Sequence, residues 1–234
     1  MRFDGCADSY DRHAAPQRAF ADRVGAFVHV VPGEEVLELG AGTGALSRWL
    51  CRQGARLRAT DASPRMVALG RQAVPEAEWF LLDAFVESLP AASVQVSSGL
   101  LQWAANPVEV LGRWKRGLKP GGRMVHAVAC EPCLAEWRAL VAETPLRWRD
   151  AAAWRAIFTS AGLRVVHAKL WVEEHYFASG LELARCLHRS GVTGRVRLGA
   201  GRLRAALRRY DRLHQREGKV VSTWAWLALE ARPV

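Results

Sequence analysis

Residues 36–44 read Val-Leu-Glu-Leu-Gly-Ala-Gly-Thr-Gly: a buried strand that empties into a glycine turn. A helix carrying Leu46, Trp49 and Leu50 follows, then a second strand, Leu57–Asp61, that closes on an acid. Few architectures accept this order, and the one it fits is a parallel sheet with a ligand held beyond the carboxyl ends of its strands. Gly40 and Gly42 let the backbone approach a ligand where a Cβ would intrude. Asp61 stands where it accepts hydrogen bonds from both hydroxyls of a ribose. The third glycine, Gly44, gives Gly-x-Gly-x-Gly rather than the dinucleotide spacing Gly-x-Gly-x-x-Gly, and Glu38 before the turn would repel a pyrophosphate. Both features favour S-adenosylmethionine, whose ammonium and sulfonium suit a carboxylate, over NAD.

A chain of 234 residues, 50% hydrophobic, can bury a full core, and a single domain over 1–234 is the natural count. No apolar run is long enough to span a bilayer, and the start Met1-Arg-Phe-Asp-Gly-Cys-Ala-Asp8 has no signal-like stretch, so the expected location is cytoplasmic. Cys6, Cys51, Cys130, Cys133 and Cys186 form an odd set without a disulfide framework. Cys130-Glu-Pro-Cys133 has zinc spacing but no second pair and no His at ligand spacing downstream, so no metal is expected. The formal net charge is +10, and between Arg185 and Arg216 ten arginines accompany a single acid, Asp211. Such a field attracts an acidic protein or nucleic acid, unless it merely reflects Arg-rich composition on a solvated face. The one aromatic residue in that stretch, Tyr210, falls on its apolar face, so stacking platforms are missing and nucleic acid is not the expected partner.

Further strands are expected at Glu78–Asp83, Val94–Ser98 and Gly122–Val128, with helices at Pro64–Ala73 and Pro107–Leu118 between them. Ser63-Pro64 is a helix start, and Lys119-Pro-Gly-Gly122 a helix stop. Two more helices, Leu134–Ala142 and Ala151–Ala161, precede two long strands, Arg164–Glu173 and Lys219–Leu229, expected to pair antiparallel at the sheet edge. The fold class is therefore α/β: a doubly wound, mostly parallel sheet of seven strands with an antiparallel last strand. A lid helix is expected near 8–30. A basic helical insert near 178–217 holds helices at Gly180–Arg189 and Gly201–Arg216, the second burying Leu203, Leu207, Tyr210 and Leu213 and turning its arginines outward.

Residues at strand ends are the site candidates. Asp83, with Ala84 and Phe85, would meet the adenine, Asp83 at its exocyclic amine and Phe85 or a neighbour at its face. The alternative for Asp83 is a helix cap. Met66 packs on the other adenine face or serves the core. Gln102 and Trp103 offer an amide and an indole donor to an acceptor, although Trp103 could equally cover the core. Tyr10-Asp-Arg-His13 leads into a helix with Phe20, Val24 and Phe27 that can fold over the pocket. Methyl transfer from a sulfonium needs alignment and a dry site, and a carboxylate acceptor needs no general base because it is already ionised at neutral pH. Tyr10, His13, Gln102, Trp103 and His126 are the residues that could hold it.

End to end, the chain resembles the malonyl-carrier-protein O-methyltransferases of biotin synthesis (the BioC family), Rossmann-like class I methyltransferases that use S-adenosylmethionine. General motifs are Val36–Gly44, Asp61-Ala-Ser-Pro-Arg-Met66, Asp83-Ala84 and Leu118-Lys-Pro-Gly-Gly122. More specific ones are Tyr10-Asp-Arg-His-Ala14 with Gln17, Leu101-Gln-Trp103 with Asn106, Thr223-Trp224 and the inserted helices. The resemblance adds Ala41, Ala62 and Ser98 to the cofactor residues. It implies methylation of the free carboxylate of a malonyl thioester on acyl carrier protein, an acidic partner for the basic insert. Departures are Ala41 for the commoner Cys, Ser93 for Asp, Ser98-Gly99 for Asn-Leu and Trp224 for Tyr. Other readings are a different small acid, a quinone precursor or a secondary metabolite as acceptor, an RNA methyltransferase, and a fold that binds the cofactor without chemistry.

Overall fold

The computed structural model describes residues 15–141, 146–192 and 199–234. Helix α1 (Ala15–Phe27) leads into β1 (Glu35–Leu39), α2 (Ala45–Arg52), β2 (Arg56–Asp61), α3 (Pro64–Ala73) and β3 (Glu78–Leu81). After β4 (Ala92–Ser98) come a 3-10 turn (Leu101–Trp103), α4 (Pro107–Lys115) and β5 (Leu118–Ala129). The chain closes with α5 (Ala135–Leu140), α6 (Ala151–Ser160), β6 (Leu163–Phe177), α7 (Gly180–Arg189), α8 (Ala200–Leu213), β7 (Gln215–Arg216) and β8 (Lys219–Pro233). The strands form one sheet in the order β3-β2-β1-β4-β5-β8-β6. The first five pair parallel, while β8 runs antiparallel to both β5 and β6. The sheet has eight strands rather than seven, because the insert ends in the two-residue β7, which turns back on β8.

Alternation along each strand feeds two cores. Val36, Val94, Val96, Val125 and Ala127 face one side, where α1, α2 and α3 pack with the insert. Leu37, Leu39, Met124, Leu227 and Leu229 face the other, against Val110 and Trp114 of α4 and Trp154 and Phe158 of α6. Short polar caps set the helix starts: Ser63 Oγ accepts from Met66 N at 3.2 Å ahead of Pro64, and Asp150 Oδ1 from Ala153 N at 2.7 Å. Helix α1 is held by Phe20, stacked on Trp226 at 4.2 Å, and by bonds from Trp49 Nε1 to Asp22 (2.7 Å) and Gln53 Nε2 to the Gly25 carbonyl (2.9 Å).

Several boundaries differ from expectation. β5 begins at Leu118, so Lys119–Gly122 lies within the strand, and Gly121 takes φ +75° where the pairing register with β4 shifts. β3 stops at Leu81, leaving Asp83 in the following loop. In α8, Leu203 and Leu207 are half-buried and Tyr210 fully buried, but Leu213 is 54% exposed because it closes the helix beyond the edge of the core. The flanking Arg204, Arg208, Arg209 and Arg212 face solvent, as the pattern requires. Among the described residues no helix is long and apolar enough to cross a membrane.

Candidate functional site

Strand order reverses between β1 and β4, and a crevice opens beyond their carboxyl ends at that switch point. The turn after β1 forms its floor. Gly42 sits at φ +58°, and a Cβ built there would meet nothing within 4 Å, so its surface is bare backbone facing the crevice. Gly42 N–H donates to Asp61 Oδ2 at 2.9 Å, and Ser63 N–H to Asp61 Oδ1 at 2.9 Å. One carboxylate thus straps the glycine turn to the end of β2. Because a carboxylate oxygen can accept more than one hydrogen bond, this role is compatible with gripping a sugar. Gly44 lines no part of the crevice: at φ +89° it opens α2, and a side chain there would strike Val74 and Trp79. Its glycine answers to packing and backbone rather than to a ligand.

A chamber of about 380 Å³ lies beside Asp61, walled by Gly40, Gly42, Ala62 and Met66 on one side and Asp83, Ala84 and Phe85 on the other. Ser98, Gly99 and Trp103 close it toward β4. The loop after β3 is held from behind, since Trp114 Nε1 donates to the Ala84 carbonyl at 2.7 Å and Arg113 bonds the Phe85 carbonyl. Asp83 Oδ1 accepts from Phe85 N at 2.9 Å within the turn after β3, where no helix forms for it to cap, and Asp83 lines the chamber. Met66 is 2% exposed and likewise serves both core and wall.

A smaller chamber of about 100 Å³ shares Gly40, Gly42, Ser98, Gly99 and Trp103 with the first. Glu38, Ala41, Thr43 and Leu46 line it from the β1 side, Gln17, Arg18 and Phe20 from α1, and Ser190, Val192 and Trp226 from the far end of the chain. Glu38 is 2% exposed and accepts from Ser47 Oγ at 2.6 Å. Burial pushes its carboxyl up to about 8; the Ser47 bond opposes that rise and the Asp61 charge adds to it. Gln102 Nε2 and Trp103 Nε1 both donate to the Gly99 carbonyl, at 2.9 and 3.1 Å. The two donors expected to face an acceptor are therefore turned onto the backbone, and Gln102 presents its Oε1, which is buried without a partner among the described residues.

His126 stands apart. It is fully buried with Nδ1 2.9 Å from Ser97 Oγ and its ring 4.9 Å from that of Trp114, it lines neither chamber, and burial lowers its pKa to about 3. A neutral imidazole inside the α4 and α6 core has no access to an acceptor. Tyr10 and His13 lie outside the described residues. Cys130 and Cys133 are buried, and burial pushes the Cys133 thiol up to about 12; among the described residues no cluster could hold a metal. Sequence reasoning did not place Thr43, Leu46, Arg18, Ser190, Val192 or Trp226 at the crevice. Thr43 lies inside the glycine turn but was given no role there; the others carry no strand-end motif to mark them, and Gln17 was visible only through the family resemblance.

Comparison with known proteins follows the same lines. The methyltransferase-domain family matches residues 37–126. The chain is 32% identical over 230 residues to the biotin biosynthesis bifunctional protein BioCD of Bordetella avium, covering 90% of this chain and 48% of that one. It is 32% identical over 136 residues to a malonyl-[acyl-carrier protein] O-methyltransferase of Serratia marcescens, covering 57% and 53%. The chain thus spans about half the length of these curated relatives. Among solved structures, a SAM-dependent methyltransferase from Geobacter sulfurreducens in complex with S-adenosyl-L-homocysteine superposes with a TM-score of 0.56 over 92% of this chain and 90% of that one, at 19% identity. That likeness establishes the shared fold.

Proposed function

Because the chain carries a methyltransferase domain, we propose that it methylates the free carboxylate of a malonyl thioester borne on acyl carrier protein. S-adenosylmethionine is the cofactor. When bound, it supplies a methyl group on a sulfonium, and transfer to a carboxylate exchanges one S–C bond for one O–C bond, leaves a neutral thioether and moves no proton.

The larger chamber suits the nucleoside. Asp61 takes the ribose hydroxyls, Asp83 the adenine amine, and Met66 and Phe85 flank the ring, with Ala62 and Ala84 small enough to admit it. Gly40, Ala41 and Gly42 clear the path toward the smaller chamber. There Glu38 and the bare Gln102 Oε1, both acceptors, suit the methionyl ammonium. Ser98 lies at the junction, where the methyl group would be presented. Trp103 walls both chambers, and with Tyr10 it positions the acceptor.

The observation that carries this reading is the junction itself: a nucleoside-sized chamber opens through bare glycine backbone into a small one where the amides of Gln17 and Gln102 sit with Glu38 and Arg18. Among the described residues no histidine lines either chamber, which fits an acceptor that is ionised before it arrives. The relatives named for biotin synthesis and for malonyl-carrier-protein methylation support the acceptor. The exposed arginines of α8 give an acidic carrier a docking surface. The test is mass spectrometry of malonyl carrier protein after incubation with enzyme and S-adenosylmethionine. One added methyl, removable by an esterase, is expected; methylation of free acids but not of the carrier form would refute the assignment.

A further inference from the structure

Resting on the carboxyl-methylation reading, we propose that Gln17 of α1 is the residue that binds the acceptor carboxylate, through its side-chain N–H. Gln17 lines the small chamber, and both its Nε2 and its Oε1 are buried without a hydrogen-bond partner among the described residues. Buried amides in folded proteins are almost always paired, so an amide left bare at a cavity wall is the signature of a ligand contact. Its direction is fixed by the helix: Gln17, Phe20, Ala21 and Val24 share one face, and Phe20 stacks on Trp226.

The other candidates at this chamber exclude themselves. Gln102 and Trp103 give their donors to the Gly99 carbonyl. Flipping the Gln102 amide would set two carbonyl oxygens against each other, so Gln102 stays an acceptor. Glu38 is a carboxyl and would repel another once ionised. Arg18 is exposed and belongs to the mouth of the chamber, where it can draw an anion in without sitting on it. Of the two side-chain amides at this chamber, Gln17 is the one whose N–H is buried and not already given to another group among the described residues. A neutral N–H orients a carboxylate and leaves its negative charge in place, whereas an ion pair with a buried cation would neutralise it and weaken it as a nucleophile.

The experiment compares wild type with Gln17→Leu and Gln17→Glu, after wild type has been assayed on malonyl carrier protein and on malonyl-pantetheine. Calorimetry with S-adenosylhomocysteine and a thermal melt check each variant's cofactor site and fold. Gln17→Leu should raise KM for both acceptors about tenfold or more, equivalent to about 1.4 kcal/mol, with cofactor affinity within about twofold of wild type. It should also abolish the preference for a malonyl-pantetheine over its terminal-amide analogue as competing ligand. Gln17→Glu should lose more than Gln17→Leu at neutral pH and recover as the pH falls toward the ordinary carboxyl range, where the acid regains a donor. A Gln17→Leu enzyme with wild-type KM and undiminished discrimination against the amide would overturn the proposal. So would a loss of cofactor affinity in step with KM, which would make Gln17 a structural or cofactor contact. If wild type methylates no malonyl thioester at all, the acceptor assignment itself falls and Gln17 with it.

Discussion

Glu38 is the residue whose environment most directly predicts behaviour. Its carboxyl, raised by burial to about 8, is protonated at neutral pH in the ligand-free fold. A raised carboxyl pKa means that the folded state holds a proton the unfolded chain releases near 4.5. Its contribution to stability is therefore complete below about 4.5 and is lost as pH rises through about 8. Glu38→Gln should flatten that part of the profile and raise the melting temperature of the ligand-free protein at pH 8 to 9, as calorimetric scans across pH would reveal. Arrival of a cationic ammonium beside the carboxyl favours its ionised form, so cofactor binding near pH 7 should release up to one proton. Titrations in buffers of different ionisation enthalpy would measure that release, and in Glu38→Gln it should vanish. Asp61 works differently, because it both straps the turn through Gly42 and Ser63 and faces the larger chamber. Asp61→Ala should weaken S-adenosylhomocysteine at least tenfold, about 1.4 kcal/mol, by calorimetry. Unchanged affinity would remove the ribose from that position.

At the scale of elements, α1 and the insert decide whether the small chamber exists. The Phe20 ring, 3% exposed and stacked on Trp226, anchors α1 across the sheet. Phe20→Ala should cost about 3 to 5 kcal/mol in urea unfolding and raise the acceptor KM more than it weakens the cofactor, since α1 lines the small chamber, which takes only the methionyl end of the cofactor on this reading, and not the larger one. Equal losses at both sites would mean that α1 supports the whole crevice. This division also explains what could be read from sequence. The larger chamber is walled by contiguous strand-end motifs, Gly40–Gly42, Asp61–Met66 and Asp83–Phe85, so local pattern could mark its lining. The smaller chamber gathers Gln17, Ser190, Val192 and Trp226 from opposite ends of the chain, and only tertiary packing brings them together. Helices with a cap and a proline, such as Pro64–Ala73, were legible to the residue. β7, two residues long, carries no periodicity, and the orientation of Gln102 was hidden because it depends on where the Gly99 carbonyl points.

Over the whole molecule the net charge of +10 is unevenly placed, and the imbalance bears on partner choice more than on the fold. Tyr210 donates its hydroxyl to the Val221 carbonyl at 2.7 Å, and Asp211 bonds the first amide of α7, so α8 is docked on β8 and α7. On α8 this fixes Arg204, Arg208 and Arg212, four residues apart, as an exposed stripe opposite the buried Tyr210. Arg216 is set aside by its ion pair with Glu174 at 2.7 Å. A fixed stripe of one sign steers an oppositely charged protein during approach, and salt weakens that steering once the screening length falls to about 10 Å or less. A small thioester with its single carboxylate feels far less of it than a protein carrying many acids. The kcat/KM for malonyl carrier protein should therefore fall steeply with added salt, while that for malonyl-pantetheine changes little. Reversing Arg204, Arg208 and Arg212 to Glu should reduce the carrier value by on the order of tenfold or more and leave malonyl-pantetheine turnover and cofactor affinity as they were, because these arginines line neither chamber. If carrier and pantetheine substrates share one salt dependence, or the triple variant treats them alike, α8 is a solvated cap and the carrier docks on another face of the molecule.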